Sequence, residues 1–541
     1  METNLLGIAL LVAFLTWFNA AAAPMWLRWS THFGAPLIAG LIYGIVLGDV
    51  PYGLAVGSTV MMVYMGLVAV GGSVPSDLSV AGYLGVAITM LAKQPPEVGL
   101  TIAVPLGTLG VLAQNTKMTT NAIWVHRADK YAAEGNTKGV MLMNVFASQI
   151  FPFLMLAIPS FLAVYFGAPA LEKFLAAVPS WVLNILILLG RLLPALGLAL
   201  LFQQIFNKRT IPFLVIGFVL AAYLGLAVMP ISIVGIAFAL LHFLYTTKKG
   251  VGEVAKAEET LVDEENAVEV KPHQAISKKA LNKAWFLWVT FGQICYNYER
   301  MMGLGFTHSL NPIMEELYPT DLVKRGEAMT RNMAFYNTEN TWGGSIAGVV
   351  ASMEEEKAAN PEANADLISS LKTALMGPIA GIGDSVTQAL VKVVLLAIAL
   401  SFSLQGNPIG VILFVVLFSS YALIVSRTLY FGGYRIGKKS IIDMLKGGRL
   451  QSVSEALSVV GMMVLGALVS NNMNVNTPLK FTIGQVTTEI QPILNSILPK
   501  FLNVVVFALV YWLVKKGVKA TTIILIILAA AIVLSLLGVL G

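Results

Sequence analysis

The chain has 541 residues, of which 57% are hydrophobic and only 12% charged. Soluble globular proteins carry about 25% charged residues, so the composition excludes that class and marks a polytopic membrane protein. The net charge of +6 sits in basic clusters between apolar runs, as in cytoplasmic loops, and no nucleic-acid partner is expected.

Apolar runs lie near 5–23, 36–70, 78–92, 98–113, 140–167, 180–205, 211–246, 387–430, 455–470 and 500–540. At about 20 residues per span they predict roughly 12 to 16 membrane elements, helix hairpins among them, in contact with membrane lipid. The predicted fold class is all-α: two membrane domains with broken helices and hairpins, joined by a cytoplasmic linker. The first run offers small residues at Ala20-Ala21-Ala22-Ala23, where a signal peptide might be cleaved. Its start, Met1-Glu2-Thr3-Asn4, carries an acid and no Lys or Arg, so a retained helix is expected.

Next comes Gly71-Gly72-Ser73-Val74-Pro75-Ser76-Asp77, a Gly/Pro interruption ending in a carboxylate. Irregular backbone at membrane depth is tolerated only where it is buried in protein or lines a wet cavity. An intramembrane acid is costly and usually functional. Pro105-Leu106-Gly107-Thr108-Leu109-Gly110 reads as a second break in this half, followed by Gln114 and Asn115. Their amides suit the hydroxyls of a neutral polyol, or hydrogen bonds between helices. His126-Arg127-Ala128-Asp129-Lys130 and Asn207-Lys208-Arg209 read as cytoplasmic.

Residues 1–246 therefore form a first membrane domain, and the charged stretch 247–280 a flexible linker with both ends in the cytoplasm. Residues 281–541 form the second domain, amphipathic or interfacial over 281–370 and membrane-helical over 371–541. The lone cysteine, Cys295, excludes an intrachain disulfide and reads as a packed core thiol. Asn297-Tyr298-Glu299-Arg300 and Phe335-Tyr336-Asn337-Thr338-Glu339-Asn340-Thr341-Trp342 concentrate the amides, carboxylates and aromatic rings that hold sugars. Arg300 also fits a structural ion pair, and Glu354, Glu355 and Glu356 read as a solvated helix face without a role. Gly377-Pro378-Ile379-Ala380-Gly381-Ile382-Gly383-Asp384 repeats the Gly/Pro-then-acid pattern. Paired breaks of this kind point to a substrate path; interfacial helix caps are the plainer reading of Asp77 and Asp384. No phosphate-binding Gly-rich loop, zinc-protease motif or histidine cluster is present, so no ATPase activity, metal or cofactor is expected.

The glycine-rich segment ending at Asp77, with Arg127-Ala128-Asp129 downstream, resembles the IIC subunit of the mannose/fructose/sorbose family of sugar phosphotransferase systems over about 1–246. The region from about 281 onward resembles the IID subunit, through Asn297-Tyr298-Glu299-Arg300-Met301, Gly303-Leu304-Gly305-Phe306, Phe335-Tyr336-Asn337-Thr338, Leu375-Met376-Gly377-Pro378 and Gly381-Ile382-Gly383-Asp384. The resemblance implies a bacterial inner-membrane sugar permease, a fusion of two usually separate subunits, assembled as a trimer and moving its substrate by an elevator-like motion. Cytoplasmic IIA and IIB proteins would relay phosphoryl from phosphoenolpyruvate through histidines, with no phosphorylated residue on this chain.

By the same resemblance the sugar site combines Ser73, Pro75, Asp77, Gln114 and Asn115 with Asn297, Glu299, Asn337, Glu339, Asn340, Trp342 and Asp384. Asp77, Glu299 and Asp384 are the candidate proton acceptors for phosphoryl transfer. Met61, Ala69 and Glu339 depart from the pattern of many relatives, which leaves a hexose, an amino sugar or a sugar conjugate open. An ion-coupled secondary transporter, with Asp77 and Asp384 binding H⁺ or Na⁺, and a non-transporting membrane receptor are the alternative readings.

Overall fold

A computed structural model describes residues 5–65, 76–167, 180–206, 208–226, 228–254, 276–360, 362–363, 365–446, 449–471, 473–483, 486–518 and 520–540. Five helical stretches are long and apolar enough to cross a membrane: Leu5–Ala22, Pro96–Ala133, Thr137–Gly167, Ala365–Ser403 and Ile409–Arg435. Two further pairs pass that test jointly but are bent, Met25–Phe33 with Ala35–Leu47 by 81° and Ile490–Ile497 with Phe501–Lys515 by 75°. Six shorter apolar helices accompany them. Among the described residues the β structure in strands is a single antiparallel hairpin, Lys480–Ile483 against Val486–Glu489, with Lys480 opposite Glu489.

Local chemistry sets the helix boundaries. Gly48, at φ 80°, ends Ala35–Leu47 in the left-handed conformation that glycine adopts without strain. One residue on, Asp49 accepts the Tyr52 amide at 3.0 Å and starts Val50–Tyr64, closing a tight helical hairpin. Asp321 caps Leu322–Asn332 in the same way through the Lys324 amide, and that bond holds its carboxyl below the ordinary range.

The broken helices lie elsewhere than the glycines and prolines suggested. Pro96–Ala133 runs unbroken through Pro105, and Ala365–Gly383 runs unbroken through Pro378. Pro105 costs the helix the one bond its missing N–H would have made to the Thr101 carbonyl. Just beyond it the neighbouring segment docks on the helix, the Asp77 amide donating to the Gly107 carbonyl at 2.9 Å. Among the described residues π-helical turns fall at Phe18–Ala22, Val80–Gly85, Phe153–Ala157, Ala163–Gly167 and Asp384–Val391. The break at 66–75, with Ser73 and Pro75, lies outside the described residues.

The halves share their cores. One apolar cluster joins Leu54, Val86 and Phe218 to Leu396, Met463 and Phe507; the other joins Met118, Val125 and Val140 to Trp288, Phe306 and Val350. Ser30 and Ser419 meet hydroxyl to hydroxyl at 2.9 Å, and the Asn121 amide donates to the Tyr296 carbonyl at 3.0 Å. The helices Ile211–Ala222 and Arg449–Asn471 approach so closely that a Cβ on Gly217 would lie 1.9 Å from the Met463 carbonyl oxygen, and one on Gly466 2.1 Å from that of Leu214. Gly466→Leu is therefore expected to lower stability by at least about 1–3 kcal/mol, read as a fall in the melting temperature of the detergent-solubilised chain. Gly377, with nothing within 4 Å of an added Cβ, is the control position. Equal losses from Gly466→Leu and Gly377→Leu would show that the close crossing does not matter.

Candidate functional site

Asp77 is a helix cap, but one 4% exposed inside the protein. Its Oδ1 accepts the Val80 amide at 2.9 Å, and its own amide donates to Gly107 of the neighbouring helix. Gly107 and Gly110 make that approach possible, because a Cβ on them would fall 2.3 Å from the Ser76 hydroxyl oxygen and 2.6 Å from Asp77 Cβ. The Pro105–Gly110 glycines thus create a docking groove, not a break.

Two cations lie within electrostatic range of Asp77: Lys117, only 2% exposed, and Arg28. Both donate to the Ala20 carbonyl, Lys117 Nζ at 3.1 Å, and that carbonyl belongs to the π-helical turn Phe18–Ala22. A π turn interrupts the regular ladder, and such turns gather at functional sites. His32, whose Nδ1 lies 2.8 Å from the Ser79 hydroxyl, stands in the field of Arg28, Lys117 and Lys392.

Lys392 carries the site into the second half. Its Nζ lies 4.6 Å from the centroid of the Phe33 ring, and it acts electrostatically on Asp384. Asp384 opens the π turn Asp384–Val391, where its Oδ1 accepts the Gln388 amide at 2.7 Å. Glu339 is buried directly against Gly383, and its Oε2 accepts the Trp342 amide at 2.7 Å. Asn337 Oδ1 accepts the Tyr296 hydroxyl at 2.8 Å, and Trp342 Nε1 donates to the Tyr421 hydroxyl at 3.4 Å. Glu339 and Asp384 therefore share one neighbourhood with Tyr296, the partner of Asn337, and Lys392 links it to Phe33 and His32 of the first half.

The other sequence candidates stand apart. Asn297 is buried and spent on its own loop: Oδ1 accepts the Glu299 and Arg300 amides at 3.1 and 2.9 Å, and Nδ2 donates to the Cys295 and Met301 carbonyls. Glu299 is half exposed and pairs with His126 Nε2 at 3.1 Å. Asn115 is exposed and accepts the Tyr298 hydroxyl at 2.9 Å; Gln114 is half-buried. Asn340 is buried against Gly292, with neither side-chain amide atom hydrogen-bonded among the described residues. Arg300 makes a bidentate pair with Asp129 at 2.8 and 3.0 Å, and Cys295 is buried. Arg28, His32, Lys117 and Lys392 escaped the reading from sequence. Their available signal was an isolated base in or beside an apolar run, which is expensive without a partner.

The loops that carry the second-half motifs are clamped together. Met302 donates its amide to Tyr336 O at 2.7 Å and Tyr336 donates its own to Arg300 O at 3.2 Å, while Met301 accepts a positive φ of 50°. Lys372, buried over the Phe306 and Tyr336 rings, donates to the Asn332 and Ala334 carbonyls at 3.0 and 3.2 Å. Glu354 is not on a solvated face: it is 0% exposed and takes two bonds from Arg331, at 2.8 and 2.7 Å, and one from Asn332 at 2.7 Å. A run of three acids on one helix spans more than one face, and only Glu356 is fully exposed. Burial works against the charge on Arg331, but Glu354 offsets it and holds the guanidinium pKa above its ordinary value.

Residues 6–241 match the family described as PTS system sorbose-specific IIC component, and residues 275–540 that described as PTS system mannose/fructose/sorbose family IID component. The chain is 36% identical over 252 residues to the fructose permease IID component of Bacillus subtilis, covering 45% of this chain and 88% of that protein. It is 34% identical over 245 residues to the mannose-specific EIID component of Escherichia coli, covering 43% and 84%. It is also 29% identical over 232 residues to the fructose permease IIC component of Bacillus subtilis, covering 43% and 85%.

Removing the buried acid strands a cation. Glu354→Ala is expected to cost about 3–5 kcal/mol, seen in thermal unfolding of the solubilised protein, with Glu356→Ala close to wild type. Equal melting temperatures for the two variants would contradict the clamp.

Proposed function

Because the chain belongs to the mannose/fructose/sorbose family of phosphotransferase-system permeases, with a IIC component in its first half and a IID component in its second, we propose that it binds a sugar between those halves and delivers it to a phosphorylated cytoplasmic partner. The observation that carries this reading is the meeting of charged and polar groups from both components: Arg28, Asp77 and Lys117 on one side, Asn337, Glu339, Trp342, Asp384 and Lys392 on the other, joined through Phe33 and Lys392. Carboxylates and amides take sugar hydroxyls, and aromatic rings cover C–H faces.

In the proposed reaction a IIB phosphohistidine donates its phosphoryl group to a sugar hydroxyl, and Asp77 or Asp384 takes the proton that the hydroxyl loses. Such transfer is governed mostly by positioning, which the capped Asp77 and the clamped 333–339 loop supply. Residues 1–246 and 281–541 act as the two membrane domains, with 247–280 on the cytoplasmic side. Assembly as a homotrimer in the bacterial cytoplasmic membrane and an elevator-like movement complete the proposal. Relatives are named for fructose, mannose and sorbose, so these sugars form the first panel.

The test is uptake into vesicles supplied with phosphoenolpyruvate and the cytoplasmic phosphotransfer proteins. Sugar phosphate should accumulate only with the full relay, and Asp77→Asn or Asp384→Asn should lower the rate by at least about 100-fold if the mutated acid is the proton acceptor. Uptake that persists without IIB and phosphoenolpyruvate but collapses with the ion gradient would establish secondary transport instead.

A further inference from the structure

The first-half side of the site carries more positive charge than the described residues answer. Lys117 Nζ and the Arg28 guanidinium converge on one acceptor, the Ala20 carbonyl, and the other hydrogen bond of Arg28 is a long contact of 4.0 Å to the Met25 sulfur. Neither cation has an ion pair among the described residues. One carboxylate, Asp77, acts on both, and its Oδ1 is already engaged in capping the Val80 amide. Across the seam stands a third cation, Lys392. The undescribed stretch that leads into Asp77, residues 66–75, contains no acidic residue in its sequence.

Arginine offers a planar fork of N–H donors and lysine a rotatable ammonium, so one shared carbonyl leaves most of that donor capacity unused. Holding two like charges together in a buried place is unfavourable unless an anion joins them. An anion that arrives with the substrate meets this need. The fork geometry of Arg28 suits a carboxylate, and Lys117 adds a point charge beside it.

We propose that this permease, on the reading given above, takes a sugar acid: a sugar or sugar conjugate whose carboxylate lies against Arg28 and Lys117 while a free hydroxyl elsewhere on the molecule accepts the phosphoryl group. The carboxylate must sit on a different carbon from that hydroxyl, since an acid carbon has no alcohol to phosphorylate. Asn337, Glu339 and Asp384 hold hydroxyls at the other end. Asp77, facing the cations but fixed as a cap, keeps them charged in the absence of substrate.

Equilibrium binding to the purified full-length chain tests this without IIB or phosphoenolpyruvate, so that any role of the cations in phosphoryl transfer does not enter. Matched probes keep the sugar ring and differ at the carboxyl-bearing carbon: glucuronate against glucose, and N-acetylmuramate against its methyl ester. The acid of at least one pair is expected to bind at least about tenfold tighter than its neutral partner, the worth of a charge-assisted hydrogen bond. Arg28→Gln and Lys117→Gln should each bring that ratio toward one, and Arg28→Lys, which keeps the charge and loses the fork, should retain part of it. If the two residues only brace Ala20, both members of a pair weaken alike and the ratio stays put, which overturns the proposal. Neutral sugars binding as tightly as the acids, with phosphoenolpyruvate-dependent uptake intact, overturns the proposal and leaves the permease reading standing. No binding by any probe, with no sugar phosphorylated, overturns both.

Discussion

A charged side chain inside a membrane protein has to be answered by a polar or oppositely charged group, and this constraint organises the chain. Lys117 sits in a helix that also carries the exposed Leu109, Leu112 and Ile123, and it is held there by the Ala20 carbonyl of the π turn Phe18–Ala22, with Asp77 acting on it. Asp77 in turn depends on Gly107 and Gly110, which let its backbone dock on that same helix. The helices of the first half are thus placed by a small set of polar contacts set within an extensive apolar core.

The second half meets the same constraint with loops. The 295–302 and 333–339 segments pair backbone to backbone, and Asn297, Lys372 and the Arg331–Glu354 pair supply the bonds that hold them. Positioning therefore comes from buried polar groups one layer behind Asn337, Glu339 and Asp384. Breaking a buried ion pair leaves an uncompensated charge, so the loss of either partner is costly. At the seam between the halves the helices Ile211–Ala222 and Arg449–Asn471 cross at glycine contact.

Much of this was legible in the sequence. Composition gave the membrane class, and the acid-tipped glycine segments drew attention to Asp77 and Asp384, both of which the structure sets beside buried cations. Asn337, Glu339 and Trp342 were singled out by their crowding of sugar-binding residue types. What failed was anything that depends on a distant partner. Pro105 and Pro378 looked like breaks, because a proline's local effect is visible in sequence while the helical context that carries the chain through it is not. Glu354 looked solvated among neighbouring acids, because Arg331 is 23 residues away. Arg28, Lys117 and Lys392 went unnoticed, since each is a single base without a motif, and Asn297, read as a ligand, has its amide committed to its own turn.

The central claim is that the two halves hold one substrate jointly. A double-mutant cycle across the seam addresses it most directly, with sugar affinity measured for the wild-type chain, Asp77→Asn, Asp384→Asn and the combined variant. Residues that grip one ligand are expected to be non-additive by about 1 kcal/mol or more. Additivity within about 0.5 kcal/mol, the behaviour of separate sites, would contradict a shared site.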